Sequence, residues 1–86
     1  MKNYVSIIIP AYNEENRILD TLNGIANLDE IDEIVVVDDG SSDKTYDLIK
    51  SINSEKIKSF KLDKNSGKGY ALNFGLKNIS SWFFGR

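Results

Sequence analysis

Neither cysteine nor histidine occurs anywhere in this chain. Without cysteine there is no disulfide framework and no thiolate metal site. Without histidine, the commonest metal ligand and the commonest general base are both missing. Proline occurs once, at Pro10, and tryptophan once, at Trp82. No apolar run approaches the roughly 18 residues that a membrane-spanning helix needs. The opening "MKNYVSIIIPAYNEE" has a short apolar run without a following small-residue cleavage site, so it reads as a strand and not as a signal peptide. Charge is not strongly of one sign either: 11 Lys and Arg stand against 13 Asp and Glu. That balance gives no basic stripe for nucleic acid and no acidic tail for a disordered arm. Together these features fit a reducing, cytoplasmic setting. No internal repeat or low-complexity segment is present.

What remains is one small soluble domain, or part of a larger one. The 86 residues are 41% hydrophobic and 28% charged. A domain of this size buries only about 60–65% of its unfolded surface, so its stability is marginal. The order of the elements follows from the apolar pattern. Val5 to Ile9 is β-branched and closed by Pro10, and suits a central parallel strand. Next, "AYNEENR" offers helix-start chemistry, with Asn13 as N-cap and Glu14 and Glu15 in the first turn. Ile18, Leu22 and Ile25 then mark an amphipathic helix of roughly four turns. Ile34 to Val37 is a second buried strand. Ser41 or Ser42 caps a second helix carrying Tyr46, Leu48, Ile49 and Ile52. Ile57, Phe60 and Leu62 form a weaker third strand, and Lys58 and Lys61 put it at an edge. A third helix runs from Lys68 to about Asn78, and a fourth strand begins at Trp82. This alternation predicts an α/β fold, a three-layer α/β/α Rossmann-like parallel sheet. Ligands in such sheets bind beyond the carboxyl ends of the strands. Three loops lie there: "PAYNEE", "DDGSSD" and "KNSGKG".

In the second loop a buried strand runs straight into Asp38 and Asp39. Turn and capping chemistry accounts for Gly40 to Asp43 but less well for two consecutive carboxylates. A carboxylate there can accept hydrogen bonds from a base N–H or a ribose hydroxyl, and such bonds are strong. Tyr12, at the mouth of strand one, is either an ordinary half-exposed aromatic or a flat face for a planar base. Asn13 or Glu14 could then meet sugar hydroxyls. Lys68 stands between two glycines, which is either a flexible helix start or a bare backbone with one ammonium near a phosphate. Two phosphate motifs fail. "GSSDKT" has Asp43 where a phosphate loop needs glycine, and "GKGYAL" has Leu72 where the dinucleotide fingerprint needs one. Asn78-Ile79-Ser80 is a glycosylation sequon by pattern alone.

Taken in order, "VSIIIPAYNEE", "EIVVVDDGSSDKT" and "NSGKGYALNFGL" resemble the start of family 2 glycosyltransferases with the GT-A fold. The wording is most similar to the branch that glycosylates polyprenyl phosphates. The resemblance implies a UDP-sugar or GDP-sugar donor. It also implies a nucleotide pocket formed by Pro10, Ala11, Tyr12, Glu14, Asp38, Asp39 and Lys68, with Tyr12 against the base. The family pattern continues into an Asp-x-Asp that holds Mg²⁺ or Mn²⁺ on the donor diphosphate, and into an acceptor half that supplies the catalytic base. Here "SSWFFGR" stands in that place and no Asp-x-Asp follows. The expectation is therefore the truncated N-terminal half of a GT-A fold, with the metal site and catalytic residues absent and no activity by itself. The parent enzyme would work in polysaccharide or cell-wall biosynthesis, at the cytoplasmic membrane face. A truncated sheet edge with Trp82, Phe83 and Phe84 uncovered would favour self-association. Two alternatives stay open. One is a receiver-like signalling domain with a Mg²⁺-binding acidic pair and Asp63 as phospho-acceptor. The other is a nucleotide-binding remnant without chemistry.

Overall fold

The computed structural model describes residues 3–80. The apolar runs form strands β1 (Ser6–Ala11), β2 (Glu33–Asp38) and β3 (Ile57–Lys61). Helix α1 (Ile18–Ala26) follows the first strand, α2 (Thr45–Ser51) the second and α3 (Lys68–Lys77) the third. All pairing is parallel, in the order β1-β2-β3, with Ile8 opposite Val35 and Val37 opposite Phe60. The strand expected at Trp82 lies outside the described residues.

Side chains alternate across a strand, so β2 feeds two cores. Ile34 and Val36 meet Ile18 and Leu22 of α1 and Ile49 of α2 on one face. Val35 and Val37 meet Leu62, Ala71 and Ile79 on the other, with Phe60 and Phe74 edge to face beside them. The sheet is therefore a middle layer, with α1 and α2 on one side and α3 on the other, as the alternation predicts. Strands added in one direction through right-handed crossovers put their helices on the same face, which explains α1 and α2. The third helix crosses over and lies across β1 and β2.

Among the described residues β1 pairs with β2 on one edge, and β2 lies between β1 and β3. Both faces of β1 are covered, by the α1/α2 core through Ile7 and Ile9 and by the α3 core through Ile8, as its both-sided apolar pattern predicts. The helix starts differ from the sequence expectation. α1 begins at Ile18, after a turn in which the Glu14 carbonyl accepts from the amides of Arg17 and Ile18. Asn13 is not its N-cap, because its side chain is used elsewhere. Neither Ser41 nor Ser42 caps α2; Asp43 does the nearest equivalent, accepting from the Thr45 amide at 2.9 Å.

Helix α3 sits close because residue 75 has no side chain. A methyl placed there would overlap Cγ2 of Ile8 and lie 3.3 Å from Cγ2 of Val37. Replacing a mid-helix glycine with alanine normally gains about 1 kcal/mol, so a poor helix former isolates the packing term. Gly75→Val is expected to lower stability by about 1–3 kcal/mol through overpacking. A urea midpoint equal to that of the unmutated protein would show that α3 is not held at this spacing.

Candidate functional site

The stretch after β2 ties the other two loops together. Asp38 is fully buried, and its carboxylate accepts from the backbone amide of Ser41 at 3.3 Å and from the Ser41 hydroxyl. The same hydroxyl oxygen accepts from the Asn13 amide at 2.8 Å. Asn13 Oδ1 accepts from the Ser42 amide at 2.9 Å. Asn13 holds φ at +51°, a left-handed conformation that asparagine tolerates better than most residues. One residue further on, the Glu14 amide donates to Thr45 Oγ1 at 2.8 Å, and the Glu15 amide donates to Asp43 Oδ2 at 3.3 Å. Desolvation would raise the Asp43 pKa, but the Thr45 hydroxyl and amide and the Glu15 amide outweigh it and hold the carboxyl below its usual range. The first loop is thus fixed on the second by four side chains used as backbone partners.

The second loop holds the third through Asp39. Its Oδ1 accepts from the Ser66 amide at 2.7 Å, and its Oδ2 from the Gly67 amide at 2.9 Å and from Asn65 Nδ2 at 3.3 Å. Gly40 follows in a left-handed conformation, packed on the backbone of Lys64 and Asn65. A carboxylate here does not stand idle waiting for a ligand; both members of the acidic pair already have protein donors.

The three loops enclose a cleft of about 380 Å³ beyond the carboxyl end of β1. Six of the seven residues named from the sequence border it: Pro10, Ala11, Tyr12, Glu14, Asp39 and Lys68, with Asn65 and Gly67 completing the wall. Tyr12 is half exposed and free to present its ring. Asp38 is the exception. It lies beneath the cleft, committed to Ser41, and Asn13 is likewise turned toward Ser42. A second hollow, about 320 Å³, lies behind Pro10 and Glu14 against Ile18 and Thr21 of α1, but only the first is bordered by all three loops. Sequence reasoning missed Asn65 and Arg17. Arg17 grips the Glu14 carboxylate with two hydrogen bonds, from Nε at 2.8 Å and Nη2 at 2.9 Å. The available signals were the i, i+3 spacing from Glu14 and the position of Asn65 in a turn before glycine.

Among the described residues no group of three or more Asp, Glu, His or Cys side chains converges. Nor is any helix among them long and apolar enough to cross a membrane.

The geometry agrees with what the chain is similar to. Residues 6–84 match the model of glycosyl transferase family 2. A dolichyl N-acetyl-alpha-D-glucosaminyl phosphate 3-beta-D-2,3-diacetamido-2,3-dideoxy-beta-D-glucuronosyltransferase of Methanococcus voltae is 42% identical, over 95% of this chain and 27% of its own length. A dolichyl-phosphate beta-glucosyltransferase of Trichomonas vaginalis is 40% identical, over 88% of this chain and 27% of its own. A poly-beta-1,6-N-acetyl-D-glucosamine synthase of Staphylococcus epidermidis is 36% identical, over 88% of this chain and 19% of its own. The chain thus spans about a quarter of the length of the first two relatives. The match replaces the receiver-like reading, and the chain belongs to glycosyl transferase family 2.

Proposed function

We propose that the protein transfers a sugar from a UDP-sugar or GDP-sugar to an acceptor, and that the described residues form the pocket for the nucleotide part of the donor. The observation that carries this is the convergence of three loops, far apart in sequence, on one cleft at the carboxyl ends of the strands. α3 crosses to the opposite layer beside that cleft, where a doubly wound sheet changes direction. In this reading the Tyr12 ring takes the face of the base. Glu14, oriented by Arg17, accepts from ribose hydroxyls. Lys68, first residue of α3, brings an ammonium to the diphosphate, and Gly67 keeps the backbone bare for close approach. Relatives named for dolichyl-phosphate substrates support a lipid-linked phosphate as acceptor. No step is assigned to a divalent ion on the diphosphate. No Asp-x-Asp occurs in these 86 residues, so only the nucleotide contacts of the donor are assigned to them.

The test is titration of the intact protein with UDP and GDP, with and without Mn²⁺. Tyr12→Ala is expected to weaken binding by about 1–3 kcal/mol, the usual worth of an aromatic ring stacked on a base. Unchanged affinity in that variant would remove Tyr12 from the pocket. Absence of any nucleotide binding by the unmutated protein would refute the donor-site assignment.

A further inference from the structure

We propose that Asp39 is a positioning residue, whose carboxylate holds the 65–68 wall of the cleft in place and supports nucleotide binding through that wall. The inference rests on the donor-site reading above. A carboxylate offers about four lone-pair positions. Asn65, Ser66 and Gly67 take three of those on Asp39, at 3.3, 2.7 and 2.9 Å. Two of the three donors are consecutive backbone amides, so the carboxylate fixes the path of the main chain and not merely one side chain. Asp39 itself is only 4% exposed, held at the end of the central strand, with its own amide donating to the Ala11 carbonyl at 2.8 Å. Beyond Asp39, the segment is tied to α3 where the Gly67 carbonyl accepts from the Ala71 amide at 3.1 Å.

Packing does not hold that segment. Residues along it alternate between two spaces: Asn65, Gly67 and Lys68 border the nucleotide cleft, while Lys64 and Ser66 border a separate hollow of about 320 Å³ beside Tyr70 and Phe74. The wall therefore has open volume on both sides. Nothing lies within 4 Å of where a side chain on Gly67 would begin. Residues 63–70 are all exposed. What restrains the wall from the second loop is the Asp39 carboxylate, the Asp39 carbonyl that accepts from Asn65 Nδ2 at 3.4 Å, and the contact of Lys64 and Asn65 with Gly40. Charge-assisted hydrogen bonds of this kind are about twice as strong as neutral ones. Because Lys68 directly follows Gly67, movement of the wall also moves the ammonium proposed for the diphosphate.

A residue that read the base directly would discriminate between uracil and guanine, which present different hydrogen-bonding edges. A residue acting through the wall affects both nucleotides alike. The experiment compares Asp39→Asn with the unmutated intact protein by amide hydrogen exchange and by calorimetric titration with UDP and with GDP in the presence of Mn²⁺. The substitution is nearly isosteric but turns an NH₂ group toward the Ser66 or Gly67 amide. Exchange at Ser66 and Gly67 is expected to accelerate about tenfold or more, with β2 amides unchanged. Affinity for the two nucleotides is expected to fall by a similar factor, about tenfold. Unaltered exchange at Ser66 and Gly67 would overturn the proposal, as would faster exchange with undiminished affinity. Loss for only one of the two nucleotides would overturn it in favour of direct base reading. If the unmutated protein bound neither nucleotide, the donor-site reading would fall and the positioning role with it, whereas the exchange result alone separates the two failures.

Discussion

Glu33→Ala is expected to destabilise the fold by about 1–3 kcal/mol, the usual cost of leaving buried hydrogen-bonding groups without their partner. A chain of this length has only about 4–13 kcal/mol in total, so the effect is large against the whole. Glu33 opens β2 at the end of the sheet opposite the cleft and is 1% exposed. Its carboxylate collects donors from three other parts of the chain. The Ser6 hydroxyl of β1 donates at 2.7 Å, and Lys58 Nζ of β3 at 2.5 Å. Ser80, beyond α3, donates from its amide at 2.8 Å and its hydroxyl at 2.9 Å. Alanine would leave these donors facing a cavity. Glu33→Gln keeps the shape but removes the charge and turns a donor toward other donors, so an intermediate loss is expected. Urea unfolding distinguishes the cases, and a Glu33→Ala midpoint within error of the unmutated protein would show that the cluster contributes nothing.

The same group sets an acid limit. Burial alone would raise the Glu33 pKa, but hydrogen bonds from Lys58, Ser6 and Ser80 outweigh it and hold the group at about 2 against an ordinary 4.5. A folded-state pKa below the unfolded one stabilises the fold above the unfolded value, and the benefit disappears as pH falls through the folded value. The contribution is therefore complete above about pH 4.5 and lost toward pH 2, with an upper size of about 3 kcal/mol for a shift of this order. The stability difference between the unmutated protein and Glu33→Gln is expected to shrink across that window. A difference that stays constant from pH 6 to pH 3 would contradict the assignment.

The contrast between Glu33 and the cleft shows what the sequence makes legible. Loop residues of the cleft announce themselves because each follows a strand and is surrounded by turn chemistry, and strand alternation alone places all three loops at one end. Tyr12, Glu14, Asp39 and Lys68 are identified that way, Pro10 and Ala11 come from the family resemblance, and all six border one cleft. Glu33 announces nothing. A single acid before "IVVV" reads as a strand boundary, and its partners lie 25, 27 and 47 residues away. For the same reason the split of the acidic pair is invisible in one dimension. Asp38 and Asp39 look equivalent as letters, yet the alternation of β2 turns the first inward to Ser41 and the second toward the third loop. Asn13 likewise reads as a local cap until the second loop is seen to lie within reach of its side chain.

Gly40 tests whether close approach of the second and third loops, and not the backbone conformation alone, shapes the cleft. It holds φ at +71°, and a methyl added there would overlap the carbonyl carbon of Lys64 and the amide nitrogen of Asn65, with Cα of Lys64 at 2.8 Å. All three obstacles are backbone atoms and cannot rotate away, so the third loop must shift. Gly40→Ala adds left-handed strain of about 1 kcal/mol to an overlap cost of about 1–3 kcal/mol. Gly40→Asn separates the two contributions. Asparagine accepts the left-handed region readily, as Asn13 does at +51°, yet it carries the same β-carbon. Gly40→Ala is therefore expected to lose about 2–4 kcal/mol and Gly40→Asn about 1–3 kcal/mol, the two lying within about 1 kcal/mol of each other in urea unfolding. Both are also expected to expose the Ser66 and Gly67 amides to exchange, because a displaced loop leaves the Asp39 carboxylate behind. Near-complete recovery in the asparagine variant would mean that only the dihedral matters and that the loops have room to spare. Comparable loss in both would make the missing side chain at residue 40 a requirement of the cleft, set by how closely the Asp39 clamp draws the third loop onto the second.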